Sequence, residues 1–165
     1  MLVATPSTHQ RAPASAPPEA DLPDTIETRL WLEEHDWLYD LLKSDRNVAP
    51  TFRFPDLISA CVSVVFAGDD ASPRIFAFLG TELAFRPSTT ARRCESMWRA
   101  QYGLLLALQR SPANRHPNPK FQLDQLTTAC VALSRAADTS GDAVLRQARM
   151  NMAQRAMHRR AVPSN

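Results

Sequence analysis

The chain has 165 residues, the length of one ordinary domain with tails. Hydrophobic residues make up 44% and charged residues 22%, which describes a globular protein. No apolar run nears the ~18 residues of a membrane span, and the N-terminus has no apolar signal-peptide core, so the chain is expected in the cytoplasm. The formal net charge of +2 hides an asymmetry: residues 24–45 carry seven acids against Arg29 and Lys43, whereas residues 86–165 carry thirteen Lys or Arg against four acids. Lys43 and Lys120 are the only lysines, so the basic half is an arginine surface, suited to bidentate phosphate contacts. Either a nucleic acid takes up this charge or the acidic segment neutralises it within the fold. Cys61, Cys94 and Cys130 lie far apart among apolar residues with no CxxC, which reads as buried free thiols.

Residues 1–23 hold Pro6, Pro13, Pro17, Pro18 and Pro23 among Ala, Ser and Thr. Such a stretch buries too little apolar surface to offset its ordering entropy, and is expected to be a disordered arm. One mostly helical domain is expected over 24–160, with 161–165 as a tail. Asp24 or Thr25 is placed to cap a helix running to about Lys43, with Ile26, Leu30, Trp31, Trp37, Leu38, Leu41 and Leu42 inward and Glu33, Glu34, Asp36 and Asp40 wet. Val48–Phe54 ends at Pro55 and reads as extended, Phe52 and Phe54 on one side and Ala49, Thr51 and Arg53 on the other. Residues 56–67 are almost wholly apolar; a helix covered nearly all round is favoured, while Val62, Val64 and Val65 keep a strand open.

GDDAS is a turn, Ser72 a natural N-cap, and Pro73 a first helical residue of a helix over about 73–86. A helix is expected over about 90–110, with Cys94, Met97, Trp98, Leu104, Leu105 and Leu108 inward. Another spans about 121–138, where Leu123, Leu126, Cys130, Leu133 and Ala137 form a seam, and a last one about 143–160, decorated with Arg146, Arg149, Arg155, Arg159 and Arg160. No internal repeat stands out by eye. The fold class is therefore mainly α, a helical bundle, in which 49–54 is either one short strand or a connecting loop with Phe52 and Phe54 as core residues.

Catalytic templates are missing. There is no GxxxxGK[ST], GxGxxG, HExxH or GxSxG, and no zinc-type Cys/His spacing. EEHD (33–36) gathers carboxylates around His35, but consecutive helical residues point apart and cannot converge on one ion. His116 sits in a Pro-rich loop without a partner carboxylate. No enzyme activity, cofactor or metal is expected.

Residues 49–86 form a unit of short strand (APTFRFP), helix, tight turn and a second helix opening at Ser72-Pro73-Arg74. In order and length this resembles the ribbon-helix-helix fold of Arc- and MetJ-type DNA-binding repressors. The resemblance implies a homodimer whose paired strands enter the major groove, with Thr51 and Arg53 reading base edges. It also implies that Ser72 and Arg74 hold a backbone phosphate at a helix start, to which Arg92 and Arg93 on the arginine surface add contacts. The function expected on that footing is a small DNA-binding regulator or a plasmid or mobile-element accessory protein. The alternative is a non-catalytic helical protein–protein interaction module, a chaperone or structural subunit, in which acidic and basic helices dock on each other or on a partner.

Overall fold

Two tryptophans, Trp31 and Trp98, mark the places where a strand turns directly into a helix. In the computed structural model, which describes residues 24–114 and 121–162, β1 (Thr25–Trp31) runs into α1 (Leu32–Lys43), and β2 (Arg92–Trp98) runs into α4 (Arg99–Arg110). Between them lie α2 (Phe54–Phe66), α3 (Ala71–Thr81) and a short 3-10 turn (Leu83–Phe85); α5 (Leu123–Ala137) and α6 (Asp142–Ala161) complete the chain. The fold is mainly α, as composition and periodicity imply. The expected Pro-rich arm and His116 lie outside the described residues.

The strands are not where the alternation of Phe52 and Phe54 put one. Residues 49–53 are bends and irregular backbone, and Phe54 already opens α2. An asparagine clamp holds this loop: Asn47 Nδ2 donates to the carbonyls of Leu42 (2.9 Å) and Phe52 (3.0 Å), and the Phe52 N–H donates to Asn47 Oδ1 at 2.7 Å. Phe52, 1% exposed, is thereby anchored in the core as a loop residue. The two expected helices at 24–43 and 90–110 each give up their first turns to a strand. Thr25, Ile26 and Thr28 are β-branched, and antiparallel pairing from Thr25↔Trp98 to Trp31↔Arg92 satisfies both backbones, which outweighs local helix preference. The helical reading of 56–67 holds, but the expected 73–86 helix stops at Thr81, and Asp70 rather than Ser72 occupies its N-cap.

The pairing has a symmetry: each half of the chain runs strand, helix, helix, helix, and the two halves form an internal repeat related about the Thr28↔Glu95 pair. α1 and α4 are both twelve residues long and both follow an extended tryptophan. The Leu32 N–H donates to Ala91 O (3.0 Å), and its counterpart Arg99 N–H donates to Asp24 O (2.9 Å). Both helices end on a serine whose hydroxyl returns to the last turn, Ser44 to Leu41 O and Ser111 to Leu108 O. Asn114 repeats the Asn47 clamp by donating to Gln109 O and Phe121 O. Leu38 and Leu105, Phe52 and Phe121, Leu57 and Leu126, Ala60 and Ala129, Cys61 and Cys130, and Val62 and Val131 are equivalent pairs, all buried.

The halves exchange partners. α2 packs on β2 and α6, while α5 packs on β1 and α3, and α2 and α5 touch at the centre. Ser59 Oγ accepts from the Trp98 N–H at 2.8 Å, and Thr128 Oγ1 accepts from the Trp31 N–H at 3.3 Å. Thus each strand is stitched to the central helix of the other half. Cys61 and Cys130 are fully buried free thiols, and burial pushes the Cys61 thiol up to about 12, leaving it inert. Cys94, expected inward, is exposed because its segment is strand rather than helix.

Candidate binding groove

Where each strand meets its helix, an arginine stacks on the tryptophan and pairs with an aspartate in the first turn of a central helix. Arg155 of α6 lies 3.9 Å above the Trp98 ring and donates to Asp56 Oδ1 at 3.1 Å; the Trp98 indole N–H donates to the same oxygen at 2.8 Å. Asp56 Oδ2 accepts from the Arg53 N–H, completing the N-terminal cap of α2. In the first half Arg92 lies 4.4 Å over Trp31 and donates to Asp124 (3.2 Å) and to the carbonyls of Ser88 and Thr90.

The Trp98 corner is open to solvent. A cavity of about 320 Å³ is lined by Asp24, Trp98, Arg99, Ala100, Gln101, Asn151, Gln154, Arg155, His158 and Arg159. A second, of about 360 Å³, is lined by Thr51, Arg53, Asp56, Met152, Ala156 and again Trp98, Arg155 and Arg159. Burial and the neighbouring Arg159 and Arg53 hold the Arg155 guanidinium below its ordinary pKa, against the pull of Asp56. Like charge is concentrated here.

Of the residues singled out from sequence, Thr51 and Arg53 line this groove, joined by Arg155 and Arg159 from the far end of the chain. Ser72 and Arg74 do not line it: Ser72 is the second residue of α3, and Arg74 faces Asp70 at 3.7 Å. Arg92 is engaged at the Trp31 corner, and Arg93 is exposed on β2. Arg155 stood out in the sequence only as one of the arginines on the last helix, and Gln101 carried no signal at all; the repeat makes Gln101 the counterpart of Glu34.

Glu33, Asp36 and Asp40 are exposed as their spacing suggests, but Glu34 is not. Glu34 is 0% exposed and accepts two hydrogen bonds from Arg86, at 2.7 and 2.8 Å. Glu33 takes Arg135 at 2.8 Å, and that hydrogen bond chiefly holds its carboxyl below the ordinary value. His35 stacks on Phe54 and its Nε2 lies 2.8 Å from Glu95 Oε1. Among the described residues no three His, Cys, Asp or Glu side chains are grouped to hold a metal ion, and no helix is long and apolar enough to cross a membrane. Set against protein-family models, curated proteins and solved structures, the chain matches none.

Proposed function

We propose that this protein is a non-catalytic helical interaction module, working in the cytoplasm and docking an acidic amphipathic helix of a partner protein on α6. Part of the charge asymmetry of the sequence is neutralised within the fold: of the seven acids in 24–45, Glu33 and Glu34 take Arg86 and Arg135, and Asp24 lies near Arg159.

The observation that carries the reading is the outer face of α6. From Ala156 onward the helix is exposed on every residue, and Met150 (56%) and Met157 (68%) stand exposed one heptad apart. Arg146, Ala153 and Arg160 continue the same row at helical spacing. Flexible apolar side chains among cations fit a partner helix with an apolar seam and acidic flanks. Free, buried Cys61 and Cys130 suit a reducing compartment.

The test is site-specific photo-crosslinking from position 157 in native cells, repeated with Met150→Glu. A discrete adduct to a protein with an acidic amphipathic helix, lost in the charged variant, supports the reading. The absence of any adduct that Met150→Glu abolishes ends it. A second reading, a DNA-binding regulator, is favoured by the convergence of Thr51 and Arg53 with Arg155 and Arg159. It requires a gel shift that weakens steeply with salt and is relaxed in sequence preference by Arg53→Ala, at a cost of ~1–3 kcal/mol.

A further inference from the structure

The repeat allows two equivalent corners to be compared, and they are finished differently. Around Trp31 the chain supplies its own lid: Arg86, from the segment joining the halves, is doubly hydrogen-bonded to Glu34 and lies 5.9 Å over the indole. At the Trp98 corner Gln101 stands in the place of Glu34, and among the described residues no side chain reaches it as Arg86 reaches Glu34. What remains there is the pair of adjoining cavities, about 320 and 360 Å³, with Trp98, Arg155 and Arg159 lining both. That is the size of small-ligand pockets.

From this we infer that the Trp98 corner is a binding site for a small phosphate monoester, held by Arg155 and Arg159, which line both cavities, with the Gln101 amide in the first and Arg53 in the second.

Three observations converge on that chemistry. The first is charge. Asp56 is already saturated by the Trp98 indole, the Arg155 guanidinium and the Arg53 N–H, so it neutralises one arginine at most. Asp24 lies 3.8 Å from Arg159 with both side chains mostly exposed, a weak opponent. The net surplus is positive in a partly desolvated corner, where a dianion gains most and where guanidinium forks match phosphate oxygens.

The second is a spare polar atom. Gln101 Nε2 donates to Ser63 Oγ, while its buried Oε1 has no partner among the described residues. Turning the amide over lets the Ser63 hydroxyl donate to Oε1 and leaves Nε2 as the spare group, a donor on a residue that lines the first cavity with Arg155 and Arg159. In either orientation the corner offers one unfilled hydrogen-bonding position: for an N–H or O–H of the ester in the first, for a phosphate oxygen in the second. The third is the helix start. Ala100 and Gln101, in the first turn of α4, line the cavity, so the positive end of a twelve-residue helix faces it.

The inference does not depend on the docking role of α6, which uses the opposite face of that helix. It is tested by calorimetric titration of the full chain with inorganic phosphate, a nucleoside monophosphate and citrate. Saturable binding of the monophosphate, about tenfold tighter than citrate, is expected. Arg53→Ala/Arg159→Ala should weaken it by about tenfold or more, Gln101→Leu by severalfold, and Arg110→Glu, on the outer end of α4, not at all. If the double alanine variant melts early, Arg53→Lys/Arg159→Lys replaces it; keeping the charge but losing the fork, it should still weaken binding severalfold. The inference is overturned if the monophosphate does not saturate at millimolar concentration, if citrate binds equally well, or if the arginine variants bind as wild type. Binding of duplex DNA without binding of the monophosphate overturns it as well.

Discussion

Arg86 shows how much one side chain decides when it reaches across the fold. It enters from the segment between the halves, places two N–H groups on the fully buried Glu34 and lies within 6 Å of both Trp31 and Phe78. The hydrogen bonds that Arg86 donates to Glu34 chiefly raise the guanidinium's pKa above its ordinary value. Removing one partner of a buried pair costs more than the pair is worth, because the remaining charge is stranded. Arg86→Ala should therefore lose about 3–5 kcal/mol in urea unfolding, whereas Arg86→Met/Glu34→Leu should recover most of it. A cost for Arg86→Ala within the range of an ordinary surface substitution would show that Glu34 is hydrated rather than sealed.

At the scale of elements, α6 depends on how it starts. Gly141 sits at φ 78°, and a Cβ there would come within 2.8 Å of the Leu41 methyl groups, so the turn into α6 is tied to α1 as well as to its own chain. Asp138 supplies the missing cap. Its carboxylate accepts from the Ser140 hydroxyl and N–H and from the Ala143 N–H at 2.9 Å. Those bonds, the Ser140 hydroxyl first, hold it below the ordinary value of 3.8. A depressed acid contributes stability above its unfolded pKa and loses it as pH falls through the folded one. The melting temperature of wild type should exceed that of Asp138→Ala near neutrality, and the gap should close as pH drops below 3.8. A gap that does not change with pH would mean that the cap does not depend on the charge.

At the scale of the molecule, the exchange of strands between halves makes the repeat cooperative. β1 is covered by α5 and β2 by α2, and each half alone exposes both a strand edge and the faces of its central helix. Fragments 24–87 and 88–162 should each be largely unfolded by circular dichroism, or self-associate, and should regain helicity when mixed. Independent folding of either fragment as a monomer would contradict a shared core. The two Trp corners differ at an equivalent position: Glu34, sealed by Arg86, in the first and Gln101, with one amide atom unpartnered, in the second.

Element type was legible wherever burial follows a local period. α2, α5 and α6 lie close to the spans their apolar spacing marks, and Leu30, Trp31, Leu38 and Leu41 are core as expected. The first turns of the expected helices at 24–43 and 90–110 were not legible. Their residues tolerate either conformation, and the choice rests on a partner strand far away in sequence. The repeat was hidden for a related reason: its identities, Trp31/Trp98, Ser44/Ser111, Asn47/Asn114 and Cys61/Cys130 among them, are single positions separated by diverged surface. Of the groove, Thr51 and Arg53 were singled out as outward residues of a strand that does not form; they line the cavity instead as loop residues just before α2.

By itself the sequence determined helix content and core faces, since both depend on side-chain patterns within a few turns. The tertiary structure alone decided where the sheet forms, which acids are buried, and that arginines from opposite ends of the chain meet at Trp98. Those outcomes follow from pairing energies between segments about fifty to a hundred residues apart, and no local pattern encodes them.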